Sequence, residues 1–344
     1  MRTLRLGLIG MGRLGSIHAK NIARSSNAEL TAVCDIREDV LEKARNEYGS
    51  VGFSDLAKML DHPIDAVVIA SNTHLHIEHI KMAAAAGKHI FTEKPIGLTI
   101  EETDEALQAV VDAKVNFQIG FQRRWDPRFS AAKKAIDEGV IGKPVLYKAY
   151  GRDPNASNPS NWGLAKNGGL FLNSSIHDYD AMRFLMGKEV TKVSASGSAL
   201  VYSGLKEFND IDTSSTTAFL GDSAMAMTEW SRYAAYGYEI GLEIVGTEGK
   251  IQFSKGSSKS PSELLIQSAN GDGNTVIKEF GAAYKLEIDA FIKSVLDGEP
   301  STPGVEDART ALYIALAARK SHDNHGKVID VPTLLPLRPK KVTL

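Results

Sequence analysis

Over the first 121 residues, short continuous apolar runs alternate with stretches of helical periodicity. Leu4–Ile9 reads as a buried strand, followed by a glycine loop and a helix over roughly 14–24. Residues 30–34 and 66–70 read as further strands. A helix follows with Leu75, His79, Met82 and Ala83 on one face, and Gly87 is a good stop for it. Next come the run His89–Thr92, a helix over about 100–112 and a strand at 116–119. Alternating strands and helices predict an α/β fold with a doubly wound parallel sheet.

Beyond Arg123 the period changes. A helix near 128–138 ends at Gly139, and residues 141–144 turn the chain. From 145 to about 277 the runs alternate apolar and polar positions, at 190–201, Thr213–Leu220, 224–230, 238–245 and 250–253. The connectors 246–249 and 271–274, rich in glycine, read as hairpin turns. This pattern predicts a mostly antiparallel sheet. Two helices, near 284–296 and 305–322, close the chain. The expected domains are therefore 1–121 and 122–344. No internal repeat is evident, and the mildly biased patch at 254–262 reads as a surface loop.

Composition narrows the function classes. The 344 residues hold 40 Lys+Arg against 42 Asp+Glu, a net charge of -2, which offers no long-range field to nucleic acid or anionic lipid. A hydrophobic share of 43% with 24% charged residues is that of an ordinary globular chain. One cysteine, Cys34, makes neither an internal disulfide nor a thiolate cluster, so a cytoplasmic location is expected. The apolar runs are of core-strand length, far short of a membrane span. The N-terminal run, broken by Gly7, Gly10, Gly12 and Arg13, is not expected to be a signal peptide.

Gly10-Met11-Gly12-Arg13-Leu14-Gly15 fits G-x-G-x-x-G between a strand and a helix. The first glycine turns the chain, the second admits a pyrophosphate to the backbone, and the third allows close helix–strand packing. Asp35 closes the next strand, where a carboxylate bonds an adenosine ribose and repels a 2′-phosphate. NAD is the expected cofactor, with Arg37 as a possible contact for a phosphate. Lys94, in Phe91-Thr92-Glu93-Lys94-Pro95, stands at a strand end, where such sheets bind ligands. In the later segment 168–180, helical spacing would set Asn173 and His177 on one face. His74, His76 and His79 lie close together but lack a carboxylate or cysteine pattern for zinc, so no metal is expected.

The glycine loop with Asp35, residues 71–76, the run 86–95 through Lys94-Pro95, residues 120–126, 151–154, 168–180 and 236–239 together resemble the glucose-fructose oxidoreductase / inositol dehydrogenase / rhizopine catabolism (Gfo/Idh/MocA) family. The resemblance covers essentially the whole chain. It implies an N-terminal Rossmann domain and a C-terminal α+β domain whose large open-faced sheet mediates a homotetramer. Lys94 and His177 are implied as the catalytic pair, with Asn173 beside them. Cofactor contacts are implied from Gly10, Gly12, Arg13, Leu14, Gly15, Asp35, Ile36, Ser71, Thr73, His76, Glu93 and Lys94. Lys94, Arg124, Asp153, Asn173, His177 and Tyr236 are implied to face a small polyol; Trp162 is a candidate cover for the cleft, although a single aromatic is usually core or lid packing. The implied reaction takes myo- or scyllo-inositol to an inosose. Imidazole, with an unperturbed pKa near ~6.5, suits the proton transfer, and an ammonium stabilises alkoxide character. The family carries aspartate where this chain has Asn173. An amide orients a histidine but does not stabilise its cation, a loss for which Asp178 or Asp180 is a candidate compensator. Two rivals remain: a dehydrogenase for another sugar or polyol, and a non-catalytic NAD-binding regulator.

Overall fold

A computed structural model of the chain describes residues 3–154, 167–254 and 276–339. It forms two units. The first contains residues 1–122 together with 282–309 and 335–344; the second contains 123–281 and 310–334. Both units are discontinuous in sequence. A long C-terminal stretch belongs to the first.

The first unit is built on β1 (Leu4–Ile9), β2 (Ala28–Cys34), β3 (Val51–Phe53), β4 (Ala66–Ile69), β5 (His89–Thr92) and β6 (Phe117–Ile119), all parallel, in the order β3-β2-β1-β4-β5-β6. That order is the dinucleotide-binding one, with its switch point between β1 and β4. Strands such as β4 are buried on both faces, which is why they read as unbroken apolar runs. The helices are α1 (Arg13–Ala23), α2 (Glu38–Tyr48), α3 (Leu56–Leu60), α4 (His76–Ala85) and α5 (Ile100–Ala113). In α4 the buried face is His76, Ile80, Ala83 and Ala84; of the expected face only Ala83 is buried, while Leu75, His79 and Met82 are half-buried. Helix α5 opens with a capping box: Thr99 Oγ1 accepts from the Glu102 amide, and the Glu102 carboxylate accepts from the Thr99 and Leu98 amides. This cap fixes the loop that follows Lys94. Leu6, Leu8, Val33, Val68 and Phe91 form one core with Ile288, Phe291 and Ile292 of the returning stretch.

The second unit contains α6 (Pro127–Asp137), α7 (Ile176–Met186) and a seven-stranded sheet. Its strands are β7 (Pro144–Pro154), β8 (Val190–Ser198), β9 (Thr213–Leu220), β10 (Ala224–Ala234), β11 (Glu239–Gly246), β12 (Lys250–Ser254) and β13 (Ile329–Asp330), ordered β12-β11-β7-β10-β9-β8-β13. All neighbours pair antiparallel except β7 with β10, so the sheet is mixed and mostly antiparallel, as expected. Strand β10 alternates cleanly: Thr228, Trp230 and Arg232 are buried, while Met225, Met227 and Tyr233 are exposed. The hairpin at 246–249 joins β11 to β12, whereas the expected turn at 271–274 and Trp162 lie outside the described residues. Helix α8 (Val276–Asp297) breaks at Phe280, and α9 (Val305–Asp323) follows.

Candidate active site

The nucleotide-binding motif lies in the first unit. Gly10 has φ +82, and a Cβ there would stand 2.7 Å from the Ser71 Cα, so the backbone itself demands glycine. Gly12 differs: it caps α1 with φ -72, and a Cβ would meet no protein atom within 4 Å. Nothing in the protein requires a glycine there, so the open space fits a ligand's approach to the helix N-terminus. Asp35 follows β2, with one carboxylate oxygen accepting from the Met11 amide at 2.9 Å and the other from the Arg37 amide at 3.0 Å. Its carboxylate therefore stands at the loop, where a ribose is bonded. The Arg37 Nε lies 3.6 Å from it, which directs the guanidinium to Asp35. Ile36 is almost fully exposed. Gly12→Ala should lower the unfolding temperature little, since the change at an N-cap costs about 1 kcal/mol or less. The same variant should bind NADH about tenfold more weakly or worse, which fluorescence titration reads directly.

His76 ties two loops of this unit together. Its Nδ1 lies 2.8 Å from the Pro95 carbonyl oxygen and its Nε2 lies 3.0 Å from that of Ser71. Burial lowers its pKa, against the pull of both carbonyls. His79 instead bonds the Ser71 hydroxyl, and burial lowers its pKa to about 4. Thr73 is buried at the start of the same segment. Lys94 is half-buried, two residues beyond β5. The Glu93 carboxylate turns inward, to His18 Nε2 at 2.8 Å, so its side chain serves the interior.

Asn173 and His177 lie in the second unit. Asn173 sits in a π turn, Phe171–Ser175, that runs directly into α7. The segment is helical, but its first turn is a π turn, wider than the regular α-helix, just where Asn173 leads to His177. Asn173 is half-buried and His177 is buried. The turn is anchored by Asp210, whose Oδ1 accepts from the Leu170 amide at 2.9 Å while Oδ2 accepts from Arg232 Nη1 at 2.6 Å. Gly169 precedes it with φ +69, and a Cβ there would strike Asp210 Oδ1 at 2.6 Å.

Both candidate compensators are bonded to arginines. Asp178 accepts from Arg123 Nη1 at 2.5 Å and from the Trp230 indole N–H. The Arg123 guanidinium lies over the Phe129 and Trp230 rings, at 5.6 and 5.5 Å. Burial works against its charge, but Asp178 outweighs that and raises its pKa. Asp180 is held by Arg124 through two hydrogen bonds, at 2.9 and 2.6 Å, and Arg124 also covers the Phe184 ring. Arg124 is thus engaged with Asp180 and only slightly exposed, at 11%. Asp153 stands beside the π turn, accepting from the Ser174 hydroxyl at 3.4 Å. Tyr236 is drawn to Glu239 and Arg152, and burial, then Glu239, raises its pKa. The structure thus groups Asp153 with the Asn173–His177 segment and sets Tyr236 in a different polar cluster. Asp210, Arg232 and Trp230 were missed from sequence, where no local pattern marks them.

Parallel sheet, glycine loop and acidic strand end define a dinucleotide-binding protein of the NAD type. The chain belongs to the GFO/IDH/MocA oxidoreductase family: the model of that family's NAD-binding Rossmann fold matches residues 4–121, and that of its C-terminal domain matches 129–252. Myo-inositol 2-dehydrogenase of Thermotoga maritima is 34% identical over 332 residues, covering 94% of this chain and 98% of that protein. The NAD(+)-dependent scyllo-inositol 2-dehydrogenase of Bacillus subtilis is 37% identical over 328 residues, covering 93% and 94%. The crystal structure of scyllo-inositol dehydrogenase from Lactobacillus casei, with bound NAD(H) and scyllo-inositol, superposes with a TM-score of 0.86 at 34% identity, covering 96% and 99%.

Proposed function

We propose that the protein oxidises myo- or scyllo-inositol to an inosose with NAD. The observation that carries this reading is the nearly full-length likeness to inositol dehydrogenases in a chain that holds Lys94 at a strand end and a buried His177. When bound, the nicotinamide accepts the hydride from the carbinol carbon. His177 takes the hydroxyl proton. Lys94 donates to the same oxygen and stabilises its developing negative charge. Asn173 orients His177, and Asp153 accepts hydrogen bonds from ring hydroxyls. Arg124, tied to Asp180, shapes the wall beside them. Tyr236 supplies a further hydroxyl partner.

Incubating the protein with NAD and a panel of polyols, and following NADH absorbance, tests this. Turnover of an inositol epimer above all other polyols is the expected result. Turnover of a different sugar alone would transfer the assignment to that substrate. NAD binding without any turnover would favour a regulator, the reading for which Asn173 speaks.

Asn173 carries its own prediction. A carboxylate at this position would favour the imidazolium, so an amide leaves His177 neutral down to lower pH. Activity in the oxidation direction rises as His177 loses its proton. Asn173→Asp should therefore move that rise to higher pH and increase the rate. An unmoved profile with a changed ranking of polyols would make Asn173 a substrate ligand instead.

We further propose a cytoplasmic homotetramer. No helix among the described residues is long and apolar enough to cross a membrane. The exposed row Met225, Met227 and Tyr233 on β10 supports association through the open sheet face.

A further inference from the structure

Behind Lys94 the first unit buries three ionisable side chains from distant parts of the chain. His18 comes from α1, Glu93 follows β5, and Glu287 comes from α8. Their ligating atoms lie within 4.8 Å of one another, and all three residues are buried. His18 Nε2 and Glu93 Oε1 are 2.8 Å apart. Neither oxygen of Glu287, a fully buried residue, has a hydrogen-bond partner among the described residues. The surroundings are apolar and aromatic: the Phe91 and Tyr284 rings stand edge-on to His18, at 5.3 and 6.1 Å. Gln118 of β6 donates to the Glu287 backbone carbonyl.

Two carboxylates this close, out of water, do not both stay ionised. One is hydrogen-bonded by His18 and served by the nearby charge of Lys94, with a smaller contribution from His76; the other has the Glu93 charge against it and His18 within 4.8 Å, without a hydrogen bond to it among the described residues. We propose that Glu287 holds a proton as an uncharged acid, leaving Glu93 as the single carboxylate anion that supports the Lys94 ammonium. Burial alone would raise the Glu93 pKa, but the His18 hydrogen bond and these neighbouring charges lower it. Burial, then Glu93, raises that of Glu287 well above the usual carboxylate range. Glu93 and Glu287 are positioning residues in this scheme: neither touches substrate, and both act through the charge on Lys94. The effect on activity rests on the catalytic role given to Lys94, whereas the protonation of Glu287 stands apart from it.

The sign of the pH effect follows. A carboxyl whose folded pKa is raised contributes stability that is complete below its unfolded pKa and is lost as pH rises toward the folded value. In that window the unfolding constant of the native protein should climb about tenfold per pH unit relative to Glu287→Gln, whose amide mimics the neutral acid. Denaturation of both proteins across neutral pH measures this; a difference that does not change with pH overturns the proposal. Infrared spectra of the unaltered protein at neutral pH supply a second test, independent of whether the variant folds. A protonated-carboxyl band is expected, and its absence overturns the assignment. Stoichiometric zinc or manganese in the purified protein, lost in Glu287→Gln, would also overturn it, by making the cluster a metal site. For activity, Glu93→Gln should move the alkaline fall of kcat to lower pH, because the ammonium loses its supporting anion, while Glu287→Gln leaves that limb in place. A limb unmoved by Glu93→Gln overturns the link to Lys94. A Lys94→Ala variant of normal activity would instead overturn the catalytic role on which the link rests.

Discussion

Lys94→Ala and His177→Ala should each reduce turnover of the preferred polyol by about 10²–10⁴, the range expected for loss of a positioned proton-transfer or charge-stabilising group. NADH affinity should stay within a few-fold of normal in the His177 variant, because that residue lies in the second unit and the glycine loop in the first. Lys94 follows Glu93 at the end of the parallel sheet, close to the nucleotide loops, so Lys94→Met is the better control for packing. Its stem is kept while its charge is lost. If both residues act on one hydroxyl, the double variant should be scarcely slower than the worse single one, since groups that act as a unit are not additive. Stopped-flow kcat and fluorescence titration of NADH, made on the unaltered protein and the four variants, decide the matter. Near-normal oxidation by the His177 variant would remove it as the base. A Lys94 variant that fails to bind NADH, with kcat preserved at saturation, would make the lysine a nucleotide ligand.

What could be read from the chain follows from which interactions are local. Strands β1, β5 and β9 were found at their observed limits because buried or alternating strands write their environment directly into the sequence. Helix α2 was not read as one: it is rich in charge and buries only Val40, Leu41 and Ala44. Strand β3, three residues long, is too short to show a period. The face of α4 was misread because Ile80 and Ala84 share its helix with half-buried histidine and methionine, and apolar character alone does not tell which row turns inward. The return of residues 282–309 to the first unit depends on partners near the other end of the chain, as when Ile288 and Phe291 join Leu6 and Val68.

The same division holds for the site. The glycine loop, Asp35, Lys94 and His177, to which the proposed function gives its roles, each belong to a short motif legible in the sequence. The π turn has no sequence signature, so the setting of Asn173 was read as an ordinary helix. Clusters assembled across the chain were invisible: His18 and Glu93 are 75 residues apart, and Trp230 and Asp178 are 52 apart. Asp178 illustrates the cost of this. Its position beside His177 makes it look like a partner for the imidazole, whereas each of its oxygens accepts from a distant residue, Arg123 or Trp230.

Asp178→Ala should be among the most destabilising substitutions in the second unit. Its removal strands a guanidinium that is only 2% exposed, with Phe129 and Trp230 rings in place of solvent. It also leaves the Trp230 indole N–H without its acceptor. Breaking a buried ion pair at one end costs about 3–5 kcal/mol, more than the pair itself contributes over an apolar replacement. For a unit of this size that corresponds to a fall in unfolding temperature of about 6–20 °C. Asp178→Asn should lie between, because its amide oxygen still accepts a hydrogen bond while the charge is gone. Arg123→Met combined with Asp178→Asn separates the causes: it removes both charges and keeps an acceptor for the indole. If the stranded charge dominates, this double variant should unfold at a higher temperature than Asp178→Ala despite carrying one more substitution. Calorimetry on the four proteins reads the order. A double variant less stable than Asp178→Ala would show that Arg123 contributes mainly by packing between the two rings, and an unchanged unfolding temperature in Asp178→Ala would mean that the contact to Arg123 is not formed.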